Sequence, residues 1–172
     1  MIQDHFNILK HISVDQYTQW VPLTPDMNAV CSLVAEDLSR IIKGIESDED
    51  LFDFCQLSDN YSCFVLTECK TAIPMCFCIL EFGIGENQMI FHGGRLPNYN
   101  NIMLVYRGTA KLLKALLDLQ FDVLTTSNYD RAIRFDNALG FYGYKTDGRR
   151  IWMRLTPESL KNSLIGRRLL FD

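Results

Sequence analysis

"RAIRFDNALGF", residues 131–141, is the stretch whose reading decides the fold. A helix built on it buries Ala132, Phe135 and Leu139 at three- and four-residue spacing. It ends at Gly140, a residue free to take the positive φ that follows many helices, and Phe141 opens a strand. Asp136 sits one residue past Phe135, close to the edge of the face that should be dry. A carboxylate in that place needs a physical reason.

Downstream, "FYGYKTD" (141–147) and "RRIWMRL" (149–155) form a hairpin over a turn around Asp147 and Gly148. Upstream, "FDVLTTS" (121–127) is a strand. Before it, "NIMLVYRGTAKLLKALLDLQ" (101–120) places Ile102, Val105, Tyr106, Thr109, Leu112, Leu113, Leu116 and Leu119 on one side at helical period. That is a long helix despite Gly108, with Asn100 or Asn101 as its cap. "SCFVLTE" (62–68), "PMCFCILEFG" (74–83) and "NQMIFHGG" (87–94) read as three antiparallel strands separated by "CKTAI" and "GIGEN".

Near the start, "YTQWVPLTPDM" (17–27) is a short strand running into a helix capped by Thr24, with Pro25 in its first turn. Val30, Leu33, Val34, Leu38 and Ile41 carry that helix to Gly44. In "SDEDLFDFCQL" (47–57), Ser47 and Asp50 make a capping-box-like start to a short acidic helix. The elements predict an α/β (α+β) protein: a mixed, mostly antiparallel central sheet of about six to seven strands flanked by about four helices.

At 172 residues and 48% apolar content, the chain can bury a core without metal or disulfide, and no linker or repeat divides it, so one domain is expected. A net charge of −4 argues against a nucleic-acid binder, which needs clustered cations for the phosphate backbone. The N-terminus has no signal-length apolar core, and no window spans a bilayer, so no membrane association and a cytoplasmic location are expected. The six cysteines (31, 55, 63, 69, 76, 78) lack zinc-type spacing and read as buried thiols in a reducing compartment, with Cys76 and Cys78 on one face of a strand. No metal is expected.

The element order, closing in Ala132, Phe135, Leu139, Gly140 and Phe141, resembles the GNAT superfamily of N-acetyltransferases. The resemblance covers roughly residues 17–155, its most specific piece being Asn128 to Phe141 and the hairpin after it; residues 1–14 and 156–172 lie outside as extensions of the domain. It implies acetyl-CoA as cofactor and direct transfer of the acetyl group to a small-molecule or peptide amine in a ternary complex. The oligomeric state is not legible.

The family seats the coenzyme A pyrophosphate on a Gly-rich loop at the start of the long helix, where free N–H groups and the helix dipole face the anion. "RGTA" (107–110) holds such letters in shortened form, but "LPNYNN" (96–101) precedes a helix of suitable length and is the preferred register. It assigns Asn100, Asn101, Ile102 and Met103 to the phosphates, with asparagines where glycines usually let phosphate reach bare backbone. Arg107, Lys111 and Lys114 then fall on an outward helix face, Arg107 and Lys111 as further phosphate ligands or, on the plainer reading, a solvated surface. Phe91 and Gly93 offer backbone to the thioester and pantetheine arm, and Asn128 matches the family's cofactor-contacting Asn or simply caps a helix.

Transfer needs a neutral amine, a stabilised oxyanion and a proton for the leaving thiolate. His92 in "MIFHGG" ends the strand that splays from its neighbour in this fold, and an imidazole there suits a general base, although a turn role before Gly93 and Gly94 is equally simple. Asp136 occupies the place of the Tyr that in many members protonates the thiolate, which requires burial to raise its pKa. Tyr129 and Tyr142 flank the same helix as other donors. The alternative is a catalytically inactive GNAT-like binding or assembly module of phage-related kind, favoured by the altered glycine loop and by Asp136.

Overall fold

The structure is a computed structural model that describes residues 8–13, 15–40, 44–45, 47, 50–51, 53 and 59–169. Strand β1 (Thr18–Pro22) leads to helix α1 (Asn28–Ser39), then β2 (Tyr61–Glu68), β3 (Pro74–Phe82) and β4 (Gln88–Arg95) follow. Helix α2 (Ile102–Asp118) crosses to β5 (Asp122–Ser127), α3 (Asp130–Ala138) follows, and β6 (Tyr142–Thr146) and β7 (Ile151–Leu155) form the hairpin. Two short helices, α4 (Pro157–Asn162) and α5 (Leu164–Leu169), close the chain. The seven strands form one mixed sheet in the order β1-β2-β3-β4-β5-β7-β6, in which only β4 and β5 run parallel.

Alternating strand residues divide the core between the two faces of the sheet. On one face Val30, Val34 and Leu38 of α1 pack on Val65, Phe77 and Ile79. On the other, Val105, Leu112, Leu113 and Leu116 of α2 meet Leu66, Cys78, Leu80 and Met89. Each such side chain, fully withdrawn from water, contributes about 1.5–3 kcal/mol. The glycine inside α2 has a packing reason: a Cβ on Gly108 would lie 2.3 Å from Leu66 Cδ2. The close approach lets Trp20 Nε1 donate 2.8 Å to the Gly108 carbonyl, tying β1 to α2.

One expectation changes. Thr24 and Pro25 lie in a turn closed by Met27 N–H on the Thr24 carbonyl, and α1 begins only at Asn28 with Met27 as its cap residue. From the two segments outside the family resemblance, Ile8, Leu160 and Ile165 enter the α2-side core. Ser47 and Asp50 do exchange capping-box hydrogen bonds, while most of the acidic helix expected after them, like Ile41, lies outside the described residues. Among the described residues no helix is long and apolar enough to cross a membrane.

The feature that shapes the site is a fork in the sheet. β4 and β5 pair only over Gln88–Asp122, Met89–Val123 and Ile90–Leu124. Beyond that point β4 continues to Arg95 paired with β3 alone, and β5 continues to Ser127 paired with β7 alone. At the fork Thr125 Oγ1 donates 2.8 Å to the Phe91 carbonyl, so a side chain satisfies the acceptor that the ended ladder leaves.

Candidate active site

The fork opens into a cleft of about 710 Å³ that reaches both faces of the sheet. Its floor is Phe91 to Arg95 of β4 and Thr125 to Asn128 at the end of β5. One wall comes from α2 and α3, through Ile102, Val105, Tyr106, Phe135 and Asp136. Asp37 and Arg40 at the end of α1 stand on the other face, and Arg150 of the β6–β7 turn lies at the rim beyond β5.

Asp136 is the buried residue of α3, 6% exposed, whereas Phe135 beside it is only half-buried. The ring still packs against the core, but the carboxylate goes deeper than it. Ser127 Oγ donates to Asp136 Oδ2 at 2.5 Å. Burial pushes the carboxyl up to about 6, and the Ser127 hydrogen bond only partly offsets that push. Tyr106 stacks on Phe135 with ring centroids 4.6 Å apart, and burial, then the Asp136 charge, holds its phenol above the ordinary value. Two groups able to hold a proton therefore face one end of the cleft.

His92 stands on the α1 side. Its Nε2 lies 3.0 Å from Glu81 Oε2, and Tyr61 donates to Glu81 Oε1 at 3.1 Å. The His92 hydrogen bond holds the Glu81 carboxyl below its ordinary value against the upward push of burial. An ionised carboxylate only accepts, so Nε2 carries the hydrogen and Nδ1 is the nitrogen left to take a proton. Burial, followed by the Glu81 charge, pushes the Tyr61 phenol up to about 12, which keeps it a donor to that carboxylate.

Phe91, His92, Gly93, Ile102, Asn128 and Asp136 of the expected set line the cleft, whereas Asn100, Asn101, Met103, Arg107 and Lys111 do not. The Asn101 side chain is the cap of α2, accepting from Leu104 N–H at 3.4 Å, and Ile102 N–H is bonded to the Asn100 carbonyl. Arg107 and Lys111 are turned to the N-terminal segment, where both bind Asp15 Oδ2, at 2.8 and 2.5 Å. Lys111 is 9% exposed, so its side chain is buried against Asp15 rather than solvated. Burial would raise the Asp15 carboxyl, but hydrogen bonds from Arg107, Lys111 and the Thr18 and Tyr17 amides hold it well below the usual range. Lys111→Met is expected to cost about 1–3 kcal/mol in urea unfolding by stripping a buried carboxylate of one partner, with coenzyme A affinity unchanged. Weaker coenzyme A binding at wild-type stability would return Lys111 to the cofactor.

Sequence reasoning missed Arg131 and Arg134, which line the cleft from α3. The signal was available: the two flank Ala132 at i, i+3 spacing within the stretch read for its apolar face. It also missed Tyr106, Ser127 and Glu81, which act through contacts distant in sequence. Cys76 reaches the cleft, but burial pushes its thiol up to about 12 and makes it a poor nucleophile. Cys31, Cys63 and Cys78 are buried, Cys69 is half-buried, and Cys55 lies outside the described residues.

No protein-family model matches the sequence, and no curated protein matches it. Solved structures do match. FdhC, a nucleotide-linked sugar GNAT in its apo form, superposes with a TM-score of 0.68 at 13% identity, over 91% of this chain and 96% of that one. This is the GNAT acetyltransferase fold. Spermidine N-acetyltransferase from Vibrio cholerae, in complex with CoA and spermine, gives 0.64 at 11% identity over 86% of this chain and 100% of that one. The PaiA N-acetyltransferase from Thermoplasma acidophilum, in complex with coenzyme A, gives 0.60 at 15% identity, covering 81% and 98%. At such identities the GNAT fold is shared while the site residues stand on this chain's own geometry.

Proposed function

We propose that the protein is an N-acetyltransferase that carries an acetyl group from acetyl-CoA to the amine of a small molecule. The observation that carries this reading is the fork: a sheet that stops pairing at Ile90 and Leu124 over a cleft with a base on one face and a proton holder on the other. Neighbours sharing the fold hold CoA, and those named act on spermidine or on nucleotide-linked sugars, which supports a thioester cofactor and an amine acceptor.

His92, oriented by Glu81, takes the proton of the incoming ammonium at Nδ1. The amine then attacks the thioester carbonyl directly, with no enzyme-bound intermediate. Phe91 turns its carbonyl to β5, so strand alternation directs Gly93 N–H into the gap as a donor to the developing oxyanion. As the C–S bond breaks, Asp136 in its protonated form gives its proton to the thiolate, a more basic group, while the attacking nitrogen releases its second proton to water, so that neutral amide and thiol leave.

Asparagines at 100 and 101 close the backbone seat that glycines would leave open, so Arg95, Arg131 and Arg134 supply charge to the phosphates through side chains. Calorimetric titration tests this. Wild-type protein should give saturable 1:1 heat with acetyl-CoA, and Arg131→Glu with Arg134→Glu should weaken it by on the order of 100-fold, because charge-assisted hydrogen bonds are lost and repulsion is added. No saturable heat at low-millimolar ligand would make the chain the cofactor-free module instead, and an unchanged double variant would remove the arginines from the cofactor.

A further inference from the structure

The chain carries a net charge of −4, yet among the described residues its cleft is lined by Arg40, Arg95, Arg131, Arg134 and Arg150 against Asp37 and Asp136. The arginines of α3 and Arg95 lie toward the cofactor wall. What remains at the other end is a pairing of opposite charges across the gap. On the β3 side, at the end of α1, Asp37 interacts electrostatically with His92 and accepts from Arg40 at 3.3 Å. Across β4, at the β7 end, stands Arg150.

Arg150, an exposed residue of the β6–β7 turn, stays outside the ion pairs that hold four other cations. Arg107, Lys111, Lys114 and Arg154 are each paired with a carboxylate. The Arg150 guanidinium makes no ion pair or side-chain hydrogen bond among the described residues. Asp147 in the same turn is hydrogen-bonded to the Arg149 and Arg150 backbone amides instead. An open guanidinium at the rim is a two-pronged donor for a carboxylate or phosphate ester.

We propose that the acceptor is an amine bearing its own anionic group, with the amine held at Asp37 and His92 and the anion on Arg150. This rests on the acetyltransferase reading and narrows it. A carboxylate beside the base holds the ammonium until His92 takes its proton, while the surrounding guanidinium groups favour the neutral, attacking amine. A polyamine would bring several positive charges into a cleft already in cationic excess, and like charges brought together oppose binding. An uncharged amine would leave Arg150 without its partner.

The test is steady-state thiol release from acetyl-CoA with matched acceptors, run beside the calorimetric titration. Glucosamine 6-phosphate is paired with glucosamine, glutamate with glutamine amide, and spermidine completes the set. The anionic member of at least one pair should exceed its uncharged partner by tenfold or more in kcat/KM, and which pair does so separates a phosphate ester from a carboxylate. Arg150→Ala should raise KM for that acceptor by about tenfold with kcat changed little, erasing the preference. Equal or better turnover of spermidine or of the uncharged members, or an Arg150→Ala variant with unchanged preference, would overturn the inference. So would a protein that binds acetyl-CoA and acetylates neither anionic amine, leaving the cofactor reading intact; absence of acetyl-CoA binding would end both.

Discussion

Replacing Asp136 by asparagine is expected to lower kcat by about 100-fold, the usual scale for a lost general acid, while making the folded protein more stable at pH 7. The two effects have one cause. Burial raises the folded-state carboxyl from 3.8 to about 6, so the native protein binds this proton more tightly than the unfolded chain does. Stability from this group therefore falls as pH rises from about 4 to about 6, and above that the fold carries a charge it has desolvated. A shift of about two pKa units corresponds to about 3 kcal/mol at neutral pH. Asparagine keeps the shape and an oxygen for Ser127 Oγ but no charge, so its thermal midpoint at pH 7 should rise by on the order of 5–10 °C and lose its dependence across that window. A carboxylate kept at such a cost marks a functional group. Unchanged kcat in the variant would move proton delivery to Tyr106, and an unchanged midpoint would mean that the carboxylate is better solvated than its 6% exposure implies.

Gly140→Ala is expected to lower stability by about 3–5 kcal/mol. Gly140 holds φ at +97°, and its added Cβ would stand 2.4 Å from the Ser159 carbonyl oxygen and 2.9 Å from Leu160 N. Those are backbone atoms at the start of α4, which cannot rotate away. Gly140 N–H bonds the Asn137 carbonyl and Phe141 N–H the Asp136 carbonyl, both at 3.0 Å, the paired bonds that close a helix on a left-handed residue. The residue that ends α3 thus also fixes where Asp136 sits and where the C-terminal helices dock. Thermal unfolding should show a midpoint lower by on the order of 10 °C, and a shift under 2 °C would mean that α4 can move off without loss.

Gly140 was legible because its task is local: a helix ending in Leu-Gly-Phe before a strand announces a left-handed cap. The strands and α2 were legible for the same reason, since period-2 and period-3.6 patterns record which face meets the core. The pairing of Arg107 and Lys111 with Asp15 was not legible, because four-residue spacing shows that two cations share a helix face, not which face the N-terminal segment covers; Asp15 is 92 and 96 positions away. Asp136 was suspected from its place, but its burial depends on Ser127, whose hydroxyl meets it only because β5 and α3 pack together. The arginines of α3 were overlooked because apolar spacing was the signal sought, and charge on the remaining face carries no periodic signature of its own.

The central claim is that the gap between β4 and β5 receives an acylated thiol carrier. A crystal structure grown with saturating acetyl-CoA tests it most directly. The pantetheine arm should run through the gap with its thioester carbonyl at the Gly93 amide, the sulfur at the Asp136 end and the phosphates beside Arg131 and Arg134. Strands β4 and β5 zipped past Ile90 and Leu124, or coenzyme A bound elsewhere with the gap empty, would contradict it.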